Sequence, residues 1–153
     1  MKHWLMKTEP ATFGIDDLAK APRRRTRWDG VRNYQVRNLL RDEMKKGDLA
    51  FFYHSSCDVP GVYGIVRIVS EGYPDPSAFD PHHEYFDAKS DPAAPTWYVV
   101  DVEYVRRFSA PITLEALKAN ARAIGDLAAL RRGNRLSITP VTAAQWQKVL
   151  ALA

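Results

Sequence analysis

Two apolar runs joined by a turn-forming loop constrain this chain more than any other feature. Leu49-Ala50-Phe51-Phe52-Tyr53-His54-Ser55 and Val62-Tyr63-Gly64-Ile65-Val66-Arg67-Ile68-Val69 are rich in aromatic and β-branched residues. Ser55-Ser56-Cys57-Asp58-Val59-Pro60-Gly61 lies between them. Residues of that kind fit a pleated, half-buried surface, and the short polar loop between them predicts a hairpin. Thr96–Arg107 is the clearest further strand. Tyr98, Val100, Val102 and Tyr104 face one way along it, and Val99, Asp101, Glu103 and Val105 the other. His3–Lys7 and Leu136–Thr139 complete the strand set.

Helices are predicted between the strands. From Asn33, Val36, Leu39, Leu40 and Met44 recur at helical spacing, and Gly47 stops the run near Lys46. Ile15–Leu18 reads as a helical turn. Thr113 caps a helix that starts at Leu114, Asp126–Arg132 forms a short one, and Thr142 caps a last one over Thr142–Leu152. Glu71 to Pro95 is Pro- and Asp-rich and reads as a long loop, of the kind that is functional or mobile in a compact domain. Together these elements predict one α+β domain over residues 1–153, built as a small mixed barrel.

Charge is strongly segregated along the chain. Residues 23–46 hold nine basic groups against three acidic ones, and residues 104–153 hold eight against two. Residues 71–103 hold eight acids and one lysine. Two basic thirds around an acidic middle provide a positive face that steers polyanions. A single cysteine, Cys57, excludes an internal disulfide and suits a reducing compartment. No apolar run is long enough to span a bilayer, and the first residues lack a signal-like apolar core, so the expected location is the cytoplasm.

Enzyme signatures are mostly missing. There is no P-loop, no Gly-x-Gly-x-x-Gly, no Gly-x-Ser-x-Gly and no Cys-x-x-Cys. His54, Cys57, His82 and His83 match no standard zinc spacing, so neither a metal nor another cofactor is expected. His82-His83-Glu84 reads as a solvated turn.

A different constellation carries chemistry. Trp28-Asp29-Gly30-Val31-Arg32-Asn33-Tyr34-Gln35-Val36-Arg37-Asn38 packs aromatic rings, a carboxylate, carboxamides and guanidiniums around a flexible glycine. Asp29-Gly30 is a tight-turn signal that sets Trp28 just before a helix start. Trp28, Tyr34, Tyr53, Tyr63 and Trp97 offer stacking faces, and Asp29, Asn33, Ser55, Ser56 and Asp91 can read a base edge. Stacking on an aromatic ring contributes roughly 1–3 kcal/mol per base. Arg23, Arg24, Arg25 and Arg27, with Arg32 and Arg37, are candidates to hold phosphates.

These motifs resemble a known family. Met6–Pro10, Ile15–Leu18, Trp28–Asn38, Phe52–Ser55, Gly61–Ile65, Tyr73–Asp75, Lys89–Pro92, Trp97–Val102 and Arg135–Val141 are similar, in this order, to the EVE domain. The resemblance implies a PUA-like mixed β-barrel of about five to six strands surrounded by short helices. It also implies kinship with YTH domains and with the thymocyte nuclear protein of animals. Its functional implication is a non-catalytic module that takes a flipped, modified base of DNA or RNA into an aromatic and polar pocket. Carried over by position, Trp28, Asp29, Asn33 and Tyr34 line one side. Tyr53, His54, Ser55 and Ser56 line another, with Lys7, Ser90, Asp91, Arg135, Leu136 and Ser137 at the mouth or floor. The partner is then nucleic acid rather than membrane, with a monomer favoured. A small-molecule or nucleotide-processing enzyme using His54, Asp29 or Cys57, and a protein–protein adaptor, stay open as alternatives.

Overall fold

A computed structural model describes residues 1–153. Its centre is a curled six-stranded sheet in the order β2-β7-β4-β3-β1-β8. The strands are β1 (His3–Thr8), β2 (Arg25–Arg27), β3 (Leu49–His54), β4 (Gly61–Ile68), β7 (Asp101–Thr113) and β8 (Ile138–Val141). A separate small pair joins β5 (Tyr73–Pro74) to β6 (Tyr98–Val99). The expected mixed barrel is therefore a half-barrel, with β2 and β8 as its edges. β1 runs parallel to β3, and every other pairing is antiparallel.

Alternation along the strands feeds two cores. Trp4 and Met6 of β1, Ala50 and Phe52 of β3, and Val66 and Ile68 of β4 face one cluster of 16 buried residues. Leu5, Phe51, Tyr53, Val62 and Ile65 face a second cluster of 13. Helices α1 (Ile15–Lys20) and α2 (Tyr34–Asn38) cover the first face. The second is covered by α3 (Leu114–Ala119), α4 (Ala121–Ile124) and α5 (Ala143–Leu150). There Trp146 stacks on Phe51 with centroids 3.8 Å apart, close contact between two large apolar surfaces. No helix is long and apolar enough to cross a membrane.

The local signals explain most elements. Asn33, Thr113 and Thr142 each accept a hydrogen bond from a backbone N–H of the first helical turn. The strand expected over Thr96–Arg107 is split into β6 and β7, with β7 running on to Thr113, and other elements differ as well. The helix from Asn33 does not run on to Lys46. It passes at Leu39 into a π-helical turn, Leu39–Glu43, and ends before Met44. Val36, Leu40 and Met44 are nonetheless all fully buried. The Arg23–Arg27 stretch is not a loop. Pro22–Arg24 is a 3-10 turn, and Arg25–Arg27 is the edge strand β2, recruited by pairing with Asp101–Glu103. The short helix expected at Asp126–Arg132 is only a 3-10 turn at Ala128–Leu130, and α4 lies before it.

Candidate functional site

The C-terminal end of β1 is where many of the candidate side chains collect. On one side the Lys7 backbone N–H donates to the Ser137 carbonyl at 2.7 Å, which sets Ser137 beside Lys7. On the other the Ser55 N–H donates to the Thr8 carbonyl at 2.9 Å, continuing the parallel β1–β3 ladder past its last pair. Above them the chain leaves β2, and the Trp28 N–H donates to the Val100 carbonyl at 2.9 Å. Gly30, at φ 79°, then turns the backbone toward α2. The resulting cavity has a volume of about 700 Å³, within the usual range for a small-molecule or nucleotide site. Lys7, Trp28, Asp29, Asn33, Ser55 and Ser137 line it together with Arg27, Arg32 and Arg135.

A buried ion pair holds the far wall. Asp75 is completely buried, and its Oδ2 accepts from Arg32 Nη1 at 3.0 Å and from the Gly30 N–H at 3.4 Å. Its Oδ1 accepts from the Ser77 hydroxyl at 2.6 Å and the Ser77 N–H at 2.9 Å. Burial alone would push the Asp75 carboxyl up. The donors from Ser77, Arg32 and Gly30 outweigh it and hold the group below the ordinary carboxylate value. Arg32 also donates to the Tyr85 carbonyl and lies over the rings of Tyr85 and Trp97, at 5.8 and 5.4 Å. Through Arg32 the loop carrying His83, Glu84 and Tyr85 becomes a wall of the cavity.

A family model described as the EVE domain matches residues 2–152. The chain belongs to the EVE domain family. It is 42% identical to human thymocyte nuclear protein 1 over 166 residues, covering 98% of this chain and 73% of that protein. A crystal structure of a Pseudomonas putida protein superposes with a TM-score of 0.92 at 47% identity, covering 98% of each chain. The crystal structure of human THYN1 protein in complex with 5-methylcytosine containing DNA superposes with a TM-score of 0.91 at 42% identity. That match covers 99% of this chain and 97% of that one.

Several residues expected at the EVE cavity sit elsewhere. Tyr53 is buried in the second core, with its ring 5.5 Å from Lys7 Nζ, and does not line the cavity. His54 is buried as well. Its Nε2 accepts the Ile15 N–H at 3.2 Å and its ring stacks on Tyr63 at 3.9 Å, so it anchors the start of α1. Burial pushes this imidazole below its ordinary pKa. Ser56, at φ 53°, belongs to the exposed turn after β3. Tyr34 is 61% exposed and lies against Trp97, outside the cavity. Asp91 closes its own turn by accepting the Ala93 N–H, and Ser90 precedes it in the same loop. Leu136 packs on the first core while its neighbours Arg135 and Ser137 face the cavity.

The arginines divide in the same way. Arg32 is committed to Asp75, and Arg37 donates to the Thr96 carbonyl and to Asn38. Arg25 is paired with Glu103, and Arg24 lies over Tyr104. Arg27 lines the cavity 3.5 Å from Asp29. Arg23 is exposed on the 3-10 turn before β2, and Arg135 reaches the cavity. Trp28 has two roles in the architecture. It is a core residue, 8% exposed and edge-on to Phe52, and its remaining surface lines the cavity. Sequence reasoning missed Thr12, Phe13, His83, Glu84 and Tyr85 as cavity residues. For the last three the one available signal was the length of their loop.

Proposed function

We propose that this EVE domain is a reader of a modified base in DNA, with 5-methylcytosine the first candidate. The supporting observation is the cavity at the end of β1, with an indole wall at Trp28, a second aromatic at Tyr85 and hydrogen-bonding groups at Asp29, Asn33 and Ser55. A relative of the same fold and 42% identity was crystallised with 5-methylcytosine containing DNA. In this reading the base leaves its stack, enters the cavity and lies against the exposed part of Trp28. Asp29 and the Asn33 carboxamide N–H₂ read its polar edge, since the Asn33 oxygen already caps α2. Arg27, Arg135 and Arg23 hold the flanking phosphates. Extruding a base costs a few kcal/mol, least for a mispaired or single-stranded base. A buried methyl returns only about 0.8 kcal/mol by area, so the preference for the methylated base is severalfold unless the fit is tight.

The test is a titration of intrinsic tryptophan fluorescence with matched DNA duplexes and single strands, plain or carrying one 5-methylcytosine, at two salt concentrations. RNA of the same sequence forms a further arm. Tighter saturable binding of methylated DNA than of its plain twin is expected, with affinity falling as salt rises. Equal binding of both twins would reduce the protein to a basic surface and remove the reader assignment.

A further inference from the structure

One cavity residue is out of place in a pocket meant only for a neutral base. Lys7 is half-buried where β1 meets the cavity, and burial alone lowers the pKa of its ammonium. No charged or hydrogen-bonding partner offsets that burial. Its nearest compensation is the face of Tyr53, 5.5 Å from Nζ. A desolvated cation without an anion is unfavourable, and long side chains of this kind normally reach solvent or a carboxylate. Arg32 and Arg27, cations on other parts of the cavity lining, differ. Arg32 is neutralised by Asp75, and Arg27 lies near Asp29. Glu9 and Glu84 also line the cavity, yet both are exposed and neither is in ion-pair contact with Lys7.

The surroundings of Lys7 supply what an anion needs. Ser137 is its cross-strand neighbour through the 2.7 Å Lys7 N–H to Ser137 carbonyl bond, so the two side chains share a face. The Ser137 hydroxyl has no partner within the protein, and the Ser55 hydroxyl makes only a long 3.4 Å bond to the Thr8 carbonyl. Arg135, two residues from Ser137, adds a second positive charge to the same wall. One ammonium, two hydroxyl donors and a guanidinium thus line the same cavity.

We infer that the part of the cavity formed at the end of β1 is an anion subsite in which Lys7, with Ser137 and Ser55, binds an oxyanion of the ligand. The inference rests on the reading of the cavity as a nucleotide site. Two parts of a nucleotide carry that chemistry: its phosphate, or a carboxylate on an oxidised base. A charge-assisted hydrogen bond in a partly desolvated site changes affinity by roughly tenfold or more, against roughly fourfold for a buried methyl.

Two probe pairs locate the oxyanion. The first is a duplex with 5-carboxylcytosine against the same duplex with 5-methylcytosine. The second is deoxycytidine 5′-monophosphate against deoxycytidine, with inorganic phosphate as competitor. Wild type is expected to bind the anionic member of one pair roughly tenfold tighter, and which pair responds names the source. Lys7→Met and Lys7→Gln should abolish that gain, read as the ratio of anionic to neutral affinity within each variant. Lys7→Met should melt no lower than wild type, because it removes an unpaired, desolvated charge, whereas a purely structural lysine would lower the melting temperature on removal. No discrimination in either pair by wild type, or a gain that survives both substitutions, overturns the subsite. These outcomes are separate from the reader assignment, which depends on methylated against plain DNA and not on Lys7.

Discussion

Arg32 Nη1 donates to Asp75 Oδ2 across 3.0 Å, and Asp75 has no exposed surface at all. The same guanidinium ties in the Val31 and Tyr85 carbonyls. One side chain from the Trp28–Asn38 stretch therefore connects the turn at Gly30, the start of the 3-10 turn at Asp75 and the cavity loop at Tyr85. Removing Arg32 leaves a buried carboxylate with fewer donors. Arg32→Gln is expected to cost on the order of 3 kcal/mol, read as a lower urea midpoint at an unchanged slope. Asp75→Asn with Arg32 retained should also be costly, since the amide N–H₂ must face the donors of Ser77 or of Arg32 and Gly30 and the guanidinium loses its counter-charge. A cost below about 0.5 kcal/mol for Arg32→Gln would show the pair to be incidental.

Two glycines separate backbone strain from crowding. Gly30 and Gly47 both have positive φ, 79° and 99°. A Cβ at Gly47 meets nothing within 4 Å, while at Gly30 it runs into the Tyr85 ring. Gly47→Ala should then cost only the left-handed penalty of about 1–2 kcal/mol. Gly30→Ala should cost about 1–3 kcal/mol more from overpacking and should also displace Tyr85 from the cavity. Equal unfolding midpoints for the two variants would mean that Tyr85 yields without cost.

Much of this was legible in the sequence, because much of it is local. The hairpin of β3 and β4 follows from two apolar runs and a polar loop. The caps at Asn33, Thr113 and Thr142 follow from side chains that reach their own helix. What stayed hidden depends on partners far along the chain. Arg25–Arg27 has no strand character of its own and becomes β2 only by pairing with β7. Tyr53 and Ser55 are two residues apart and read as one wall. β3 ends at His54, so Tyr53 is held within the strand in the second core while Ser55, just past it, lies beside Thr8 at the cavity. His83 to Tyr85 join the cavity through Arg32, more than 50 residues away in sequence. A motif of nearby residues points to the candidate site, and long-range register decides which of them face the cavity.

Stability should fall between neutral pH and pH 5 through His54. In the fold its pKa is lowered by burial, and its Nε2 must be unprotonated to accept the Ile15 N–H. In the unfolded chain it takes a proton near its ordinary value of about 6.5. The unfolded state therefore binds more protons in the window below that value, and stability rises with pH through it. The contribution is complete above about 6.5 and is lost as pH falls through the folded pKa. His3, also lowered by burial, acts with the same sign. Asp75 acts only at more acidic pH, because its folded pKa lies below the ordinary carboxylate value. Urea midpoints at pH 7.5 and pH 5 should differ in wild type and differ less in His54→Asn. A variant as pH-sensitive as wild type would assign the effect to other groups.

Trp28 tests whether one side chain serves both core and ligand. Its indole is 8% exposed, edge-on to Phe52 and open to the cavity on its remaining side. Trp28→Ala should cost about 3–5 kcal/mol of stability, within the 5–15 kcal/mol a typical domain has, so binding is best read at low temperature on protein confirmed as folded. Loss of stacking should weaken oligonucleotide binding by about 1–3 kcal/mol, for methylated and plain DNA alike. Trp28→Phe keeps an aromatic face and should recover most of the binding while losing only about 1–2 kcal/mol of stability. Binding that follows stability across the two variants would mean that the indole only supports the cavity. Binding restored by Phe beyond the stability it restores would mean that the ring itself meets the base.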